Sequence, residues 1–155
     1  MKTLIAIDPG QRTGVAVFKY DDMLVRCVSS EEVYGGLVGF YDWLGKRTLY
    51  PGTTIVIEDF ILDAWKHSVD LTPVFVIGMV WGWCESKKIP FVKQPPAGRK
   101  EAVSDDVLKR AGWYLAGEPN RNAREATRHG AWWLKNQRHQ PTIVKLFGGP
   151  SSDEL

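Results

Sequence analysis

The sequence predicts an α/β domain in which a mixed five-stranded sheet is flanked by helices. Three short segments rich in β-branched and aromatic residues come first, and the turns between them favour consecutive antiparallel strands. Two further apolar strands then alternate with helical patterns, as strands joined by helices do. The 155 residues are 44% hydrophobic and 25% charged, which is the composition of a globular chain able to bury a core.

Apolar periodicity and turn residues locate each element. The strands are predicted at residues 3–8, 13–20, 23–29, 54–58 and 89–93. The helices are predicted at residues 37–44, at 71–88, within 99–112 and at 121–138, the last helix of the chain. Ser104 followed by two acids predicts an N-cap inside the third of these segments. We expect one domain over residues 1–147 and a flexible tail over 148–155.

Several classes of protein are disfavoured by simple features of the chain. The longest apolar stretch, Leu71 to Cys84, has 14 residues, fewer than the roughly 18 expected of a membrane helix. The first residues lack the pattern of a secretory signal, so a cytoplasmic location is expected. Cys27 and Cys84 are too few for a disulfide scaffold and lack the spacing of a zinc site.

The positive charge is concentrated near the end of the chain. The net charge is only +2, but residues 121–140 hold five basic side chains against the single acid Glu125. A cationic surface of this kind can meet the phosphates of a nucleic acid.

Three acids stand where an apolar element meets a loop. Asp8 ends the first strand, Glu58 ends the fourth, and Glu125 lies in the first turns of the last helix. Carboxylates brought close together repel one another unless they share protons or bind cations, and oxygen ligands suit Mg²⁺ or Mn²⁺. Two such ions can clamp the attacking and leaving oxygens of a phosphodiester, which favours a nuclease.

The residues around these acids carry a family resemblance. Ile5-Ala-Ile-Asp8-Pro-Gly10-x-x-Thr13-Gly14 resembles the first motif of the ribonuclease H-like superfamily, and within it the RuvC-like Holliday junction resolvases. Val56-Ile-Glu58-Asp-Phe60 resembles the second motif, and Asn122-Ala-Arg-Glu125-Ala126-Thr-Arg128-His129 the third, in the form of the phage branch. The resemblance covers roughly residues 4–134. It departs at Glu125, where the family has Asp, and at Asn122, which replaces an ionisable ligand.

The resemblance implies a set of catalytic residues. Asp8, Glu58, Glu125 and Asn122 would hold two Mg²⁺ ions, with Mn²⁺ as a substitute, and Asn122 could still offer its carbonyl oxygen. Lys100 falls near a basic position that the family uses beside the scissile phosphate, although a solvated lysine is an equal alternative. His129 lies one helical turn after Glu125 and would assist acid–base chemistry, unless it serves as a hydrogen-bonded structural residue or faces a phosphate.

A second set of residues would bind DNA. Arg124 and Arg128 share a helix face and would contact backbone phosphates, the alternative being a solvated cationic face. An aromatic side chain after the second motif would stack in the crossover of the junction; Trp65 is the better candidate, since Phe60 also suits the core. The remaining predicted DNA contacts are Arg99, Lys100 and Arg121.

Together these features predict one function and leave three alternative functions open. The chain is expected to be a Mg²⁺-dependent endonuclease that nicks four-way junctions, and related forks or flaps, symmetrically. A two-fold symmetric junction needs two active sites, so a homodimer through the apolar helix 71–88 is expected. The rivals are a catalytically weakened binder of branched DNA, a YqgF-like RNA-processing nuclease, and the actin-like ATPases and sugar kinases, which need two copies of such a fold.

Overall fold

The five predicted strands form one sheet in the computed structural model, which describes residues 1–62, 68–96 and 98–149. The strands are β1 (Lys2–Asp8), β2 (Thr13–Tyr20), β3 (Val25–Val33), β4 (Thr53–Glu58) and β5 (Phe91–Gln94). Their order across the sheet is β3-β2-β1-β4-β5. Antiparallel pairing joins β1, β2 and β3, whereas β4 runs parallel to both β1 and β5. The predicted fold class is confirmed.

Helices cover both faces of this sheet. They are α1 (Gly36–Gly45), α2 (Thr72–Lys87), α3 (Arg99–Ala102), α4 (Asp105–Ala111), α5 (Arg121–Asn136) and α6 (Gln140–Phe147), with a short 3-10 turn at Glu118–Asn120. In the part of the chain that the structure describes, no helix has the length and apolar character needed to cross a membrane.

Alternation along the strands divides the core into two layers. Leu4, Ala6 and Val56 face one side, where they pack with residues of α4, α5 and α6. Ile5 and Ile7 face the other side, where they pack with residues of α1 and α2. Because Asp8 and Glu58 continue the even-numbered alternation, they belong to the face that α5 covers.

The structure departs from the sequence prediction most at three places. β3 continues beyond residue 29 to Val33, because it stays paired with β2 as far as Thr13 across a register shift. The segment 99–112 forms two helices, and the Ser104 side chain caps the second by accepting a hydrogen bond from the Val107 amide at 3.4 Å. The prediction that the chain's last helix lies at 121–138 is wrong, since α6 follows.

The additional helix has a local cause. Arg138 adopts a left-handed conformation, with φ of 57°, directly after α5. Pro141 then stands in the first turn of α6, where a missing backbone donor costs nothing. Leu146 is fully buried, so α6 adds to the core on the α5 side of the sheet. Of the predicted flexible tail, residues 150–155 lie outside the described residues.

Two glycines allow α5 to lie close to the sheet. A Cβ atom on Gly14 would stand 1.9 Å from the carbonyl oxygen of Asn122, and one on Gly130 would stand 2.4 Å from Cε2 of Phe18. Both distances are far below a normal van der Waals contact. The absence of side chains at these positions therefore fixes the distance between α5 and strands β1 and β2.

Candidate active site at the carboxyl edge of the sheet

Three polar residues end the three parallel strands. Asp8 is the last residue of β1, Glu58 of β4 and Gln94 of β5. Glu58 pairs directly with Gln94, and the β1–β4 register reaches Ile7 and Ile57, one position before Asp8 and Glu58. Paired residues of neighbouring strands point to the same face, so all three side chains lie at one edge beneath α5.

Helix α5 brings Glu125 and His129 to this edge. These residues are four positions apart and so share one face of the helix. The first turn of α5 is held by Glu32 of β3, which accepts hydrogen bonds from the Ala123 amide at 2.9 Å and the Asn122 side chain at 3.1 Å. A carboxylate here satisfies free N–H groups and complements the positive end of the helix.

Arg99 of α3 lies among the carboxylates. Its Nη1 is 2.6 Å from Oε1 of Glu58, and its Nε is 3.3 Å from Oε2 of Glu125. The same Nη1 donates to the carbonyl oxygen of Pro96 at 3.2 Å. The Arg99 side chain is 10% exposed and those of Glu58 and Glu125 are 15% and 12% exposed, so water screens these ion pairs weakly.

The two strand-end carboxyl groups differ in their ionisation. Burial, and then the neighbouring charge of Glu58, raise the pKa of Asp8 well above its ordinary value. Burial also raises the pKa of Glu58, but contact with His129, a hydrogen bond from Asp8 and the charge of Arg99 outweigh it and bring that pKa to about 2. In the absence of a further cation, Glu58 is ionised and the ionised form of Asp8 is disfavoured.

His129 is a buried part of the same cluster. Nδ1 lies 2.6 Å from the side-chain nitrogen of Gln94, which also donates to the His129 carbonyl oxygen at 3.2 Å. Since an amide nitrogen only donates, Nδ1 accepts and the proton sits on Nε2. Nε2 is 3.3 Å from Oε2 of Glu58. Burial lowers the pKa of His129, so the ring is neutral near pH 7.

The donor set fits a divalent cation at Asp8 and Glu58. Oε2 of Glu58 is buried and makes no hydrogen bond of acceptable geometry within the described residues, despite its proximity to His129. An unpartnered carboxylate oxygen beside a second carboxyl group suits an oxygen-preferring ion. Among the described residues, however, no three His, Cys, Asp or Glu side chains already form a metal-binding group. Arg99 stands between Glu58 and Glu125.

The predicted phosphate-binding arginines of α5 are mostly engaged within the protein. Arg128 is 3% exposed and bonds to the carbonyl oxygen of Val103 and to Asp105. Arg124 donates to the carbonyl oxygen of Leu115 at 2.7 Å and of Gly117 at 3.2 Å. This differs from the cationic face expected from the sequence, because the chain between α3 and α5 folds over that face. A role of these arginines in DNA binding stays a prediction.

Two basic side chains remain exposed beside Glu125. Lys100 and Arg121 line an open cavity of about 380 Å³ together with Glu125 and residues already named. Positive side chains around a cavity next to the carboxylates can hold an anion such as a phosphate.

The aromatic candidates are only partly described. Phe60 is half-buried and packs against the core on the α1–α2 side. Trp65, the predicted stacking residue, lies outside the described residues. Asp59 points away from Glu58 and faces Lys93 at 3.9 Å, since successive side chains of a strand alternate between its faces.

Sequence reasoning missed two residues of this site, and for a third it missed the contacts that the structure shows. Gln94 carries the same signal as Asp8 and Glu58, a polar residue at the end of an apolar strand. Glu32 has no comparable signal, because a β3 residue meets α5 only in the folded chain. Arg99 was predicted to contact DNA, and nothing in its sequence surroundings indicates the ion pairs that bury it.

No protein-family sequence profile and no curated protein sequence matches the chain. Solved structures do. The structure of T. thermophilus RuvC in complex with a Holliday junction substrate aligns with a TM-score of 0.62 and 14% identity, over 87% of this chain and 96% of that chain. The fowlpox virus Holliday junction resolvase aligns with a TM-score of 0.63 and 14% identity, over 87% and 99%.

The chain has the fold of the RuvC-like Holliday junction resolvases. A second fowlpox virus structure, a complex of the resolvase with Holliday junction DNA, agrees with a TM-score of 0.60 at 12% identity. The RuvC-like fold thus extends over nearly the whole length of these proteins. The predicted resemblance is confirmed at the level of the fold.

Proposed function

We propose that this protein is a Mg²⁺-dependent endonuclease that resolves Holliday junctions and related branched DNA by symmetric nicking. The observation that carries the proposal is the meeting of Asp8, Glu58, Glu125 and His129 at the carboxyl edge of a RuvC-like sheet. Structures with this fold include resolvases in complex with Holliday junctions. A buried carboxylate cluster with an unpartnered oxygen supports cation-dependent chemistry.

Each of these residues would have its own role in the proposed reaction. Asp8 and Glu58 would hold divalent ions, joined by Glu125 and by the amide oxygen of Asn122. Two bound ions supply charge neutralisation for the phosphate and activation of the attacking water. His129, neutral and fixed by Gln94, lies against the Glu58 carboxylate from the protein side, with Nε2 3.3 Å from Oε2. The buried position of these side chains strengthens each electrostatic contact.

The substrate would be held by the exposed basic residues. Lys100 and Arg121 flank Glu125, so a strand passing over the carboxylates would bring a phosphate between them. Arg99, Arg124 and Arg128 would contribute positive potential from inside the protein, and Phe60 and Trp65 would stack against bases at the crossover.

We also propose a homodimer through α2. Its outward face carries Leu71, Val74, Phe75 and Trp81, which are 41–56% exposed. Gly78 lies on the same face with open space above its backbone, so a second copy could approach closely. Two copies related by a two-fold axis would present two active sites to a symmetric junction. We further propose that the protein is located in the cytoplasm, which would be that of the host cell if the chain is phage-encoded.

The decisive test is cleavage of a synthetic four-way DNA junction labelled in turn on each strand. The wild-type protein with Mg²⁺ or Mn²⁺ should give paired nicks near the branch point, and EDTA should abolish them. Asp8→Asn and Glu58→Gln should remove cleavage while junction binding persists, because phosphate contacts are untouched. Asp59→Asn is the matched control: it makes the same chemical change next to Glu58 on a side chain that is 41% exposed and faces away.

The rival functions are separated by the same assay. Junction binding without nicks under either metal would favour a structural binder of branched DNA, which the engagement of Glu125 by two arginines already supports. Cleavage of an RNA substrate in preference to the junction would favour the YqgF-like RNA nuclease. Cleavage of linear duplex DNA at the same rate would contradict structure-specific resolution.

The dimer is tested separately by analytical ultracentrifugation. Phe75→Asp, in the centre of the α2 face, should convert a dimer into a monomer. Met23→Asp is the control, since Met23 is 85% exposed at the β2–β3 turn. A wild-type monomer at micromolar concentration, both alone and with junction DNA, would contradict the dimer.

A further inference from the structure

Arg99 occupies the centre of the proposed active site. Its guanidinium spans Glu58 and Glu125, at 2.6 Å and 3.3 Å, and is nearly inaccessible to water. It is therefore placed between two of the carboxylates that the proposed reaction needs as metal ligands. A guanidinium so placed neutralises charge that would otherwise be repulsive.

The three carboxyl groups differ in the basic side chains that lie next to them. Asp8 makes no ion pair with Arg99 in the described structure. Arg99 contacts Oε1 of Glu58, and the other carboxylate oxygen, Oε2, has no hydrogen-bond partner among the described residues. Glu125, by contrast, lies within 3.4 Å of both Arg99 and Arg128. Asp8 and Oε2 of Glu58 thus have no arginine partner in the described structure, whereas Glu125 has two.

We propose that the Arg99 guanidinium is a resident counter-ion that takes the place of one divalent ion, so that a metal reaches Glu125 only after Arg99 has left. This inference rests on the proposed function and adds an ordering to it. A first ion would bind at Asp8 and at Oε2 of Glu58, which makes no hydrogen bond of acceptable geometry within the described residues. A second would compete with Arg99 for Glu58 and Glu125.

The surroundings of Arg99 allow this exchange. Arg99 belongs to α3, a helix of only four residues, and within the described residues its side chain makes one other polar contact, the bond to the Pro96 carbonyl oxygen. When the guanidinium leaves, Glu125 keeps the Arg128 side chain beside it and is not left as an isolated buried charge. The exchange therefore needs movement of one side chain and no rearrangement of the sheet.

The test measures Mn²⁺ binding to the full chain without DNA, by isothermal titration calorimetry and by the electron paramagnetic resonance signal of free Mn²⁺. Arg99→Gln removes the charge and keeps a polar side chain. Since two like charges within a few ångströms repel strongly at low dielectric, Mn²⁺ should bind Arg99→Gln at least about tenfold more tightly, and with more ions per chain. Arg99→Lys, which keeps the charge, should remain close to wild type.

Arg47→Gln is the matched control. Arg47 also pairs with a glutamate, Glu31 at 3.5 Å, but it is 40% exposed and belongs to the opposite side of the sheet. Its substitution changes the net charge by the same amount and should leave Mn²⁺ affinity within about twofold of wild type.

A second measurement uses the wild-type protein alone, in case Arg99→Gln does not fold. The Nε–H resonance of Arg99, assigned by its loss in Arg99→Lys, should move towards that of a solvent-exposed arginine as Mg²⁺ is added. A resonance that stays unchanged at saturating Mg²⁺ would overturn the proposal. So would equal or weaker Mn²⁺ binding by Arg99→Gln.

Divalent-ion binding by wild type and the variants separates the metal-dependent function from the role of Arg99. If wild type and all variants bind no divalent ion, the metal-dependent function itself is contradicted. If wild type and Arg99→Gln bind Mn²⁺ with equal affinity and stoichiometry, the function stands and only the role of Arg99 is rejected.

Discussion

Gly130 tests the packing on which the candidate site depends. The Gly130→Ala substitution would place a methyl group 2.4 Å from Cε2 and 2.9 Å from Cδ2 of Phe18, and 3.1 Å from the Cβ of Ala6. Carbon atoms normally approach to about 3.5–4.0 Å, so α5 would have to move away from the sheet by about 1 Å. Phe18 cannot yield easily, because it is fully buried and packs edge-on against Trp113.

The expected loss follows from two opposing effects. Overpacking of this severity costs about 3 kcal/mol, at the upper end of the usual range. Replacing glycine by alanine inside a helix returns about 1 kcal/mol. The net loss of unfolding free energy is therefore about 2 kcal/mol, which lowers Tm by roughly 4–8 °C in a chain of this size. Because Glu125 and His129 are on the same helix, cleavage of the junction should fall as well.

Calorimetry or urea unfolding would measure the change, with Gly45→Ala as the matched control. Gly45 ends α1 and has no atom within 4 Å of an added Cβ, so its substitution should raise stability by up to about 1 kcal/mol. In a Phe18→Leu background, Gly130→Ala should cost at least about 1 kcal/mol less than in wild type. A Gly130→Ala protein as stable as Gly45→Ala would refute the close approach of α5.

Three further predictions concern other contacts. Glu32→Ala should cost about 1 kcal/mol in urea unfolding, because the acceptor that caps the Ala123 amide is lost, and unchanged stability would contradict the cap. The hydrogen bond from Arg128 lowers the pKa of Asp105, whose side chain is half-exposed, so this ion pair should stabilise the folded chain above about pH 4, by under about 1 kcal/mol. Its contribution should disappear as the pH falls through that lowered pKa, seen as converging stabilities of wild type and Asp105→Asn. Burial raises the pKa of the Cys84 thiol to about 11, so a thiol reagent should label it only on unfolding; rapid labelling at pH 7 would contradict its burial.

Much of the sheet could be predicted because each strand is indicated by residues within the strand itself. The bounds of β2 are those that the sequence predicts, and β1 and β4 differ by one residue. The end of β3 could not be predicted, since Glu31 and Glu32 are polar and stay in the strand through pairing with β2. Helix α6 was missed because only packing against α4 and α5 reveals that its few apolar residues complete the core.

Some residues of the candidate site could likewise be predicted from local sequence, and others could not. Asp8 and Glu58 were predicted from their position at strand ends, and the parallel pairing of β1 with β4 brings them together. The contacts of the arginines could not be predicted, since helical periodicity indicates which residues share a face but not which residues cover that face. Arg128 is enclosed by Val103 and Asp105, over twenty positions earlier in the chain, and a sequence pattern contains no information on such a contact.

The balance of charge at the sheet edge connects stability with function. Burial, and then the neighbouring charges of Glu58 and Glu125, disfavour the ionised form of Asp8 and raise its pKa. Arg99 and Arg128 offset part of this repulsion, yet each bond that they make to Glu125 also withdraws a ligand from an added cation. A site that neutralised all its carboxylates internally would be more stable and unable to bind metal. Asp8 and Oε2 of Glu58 make no ion pair with either arginine in the described structure, and these are the groups at which we propose that a divalent ion binds.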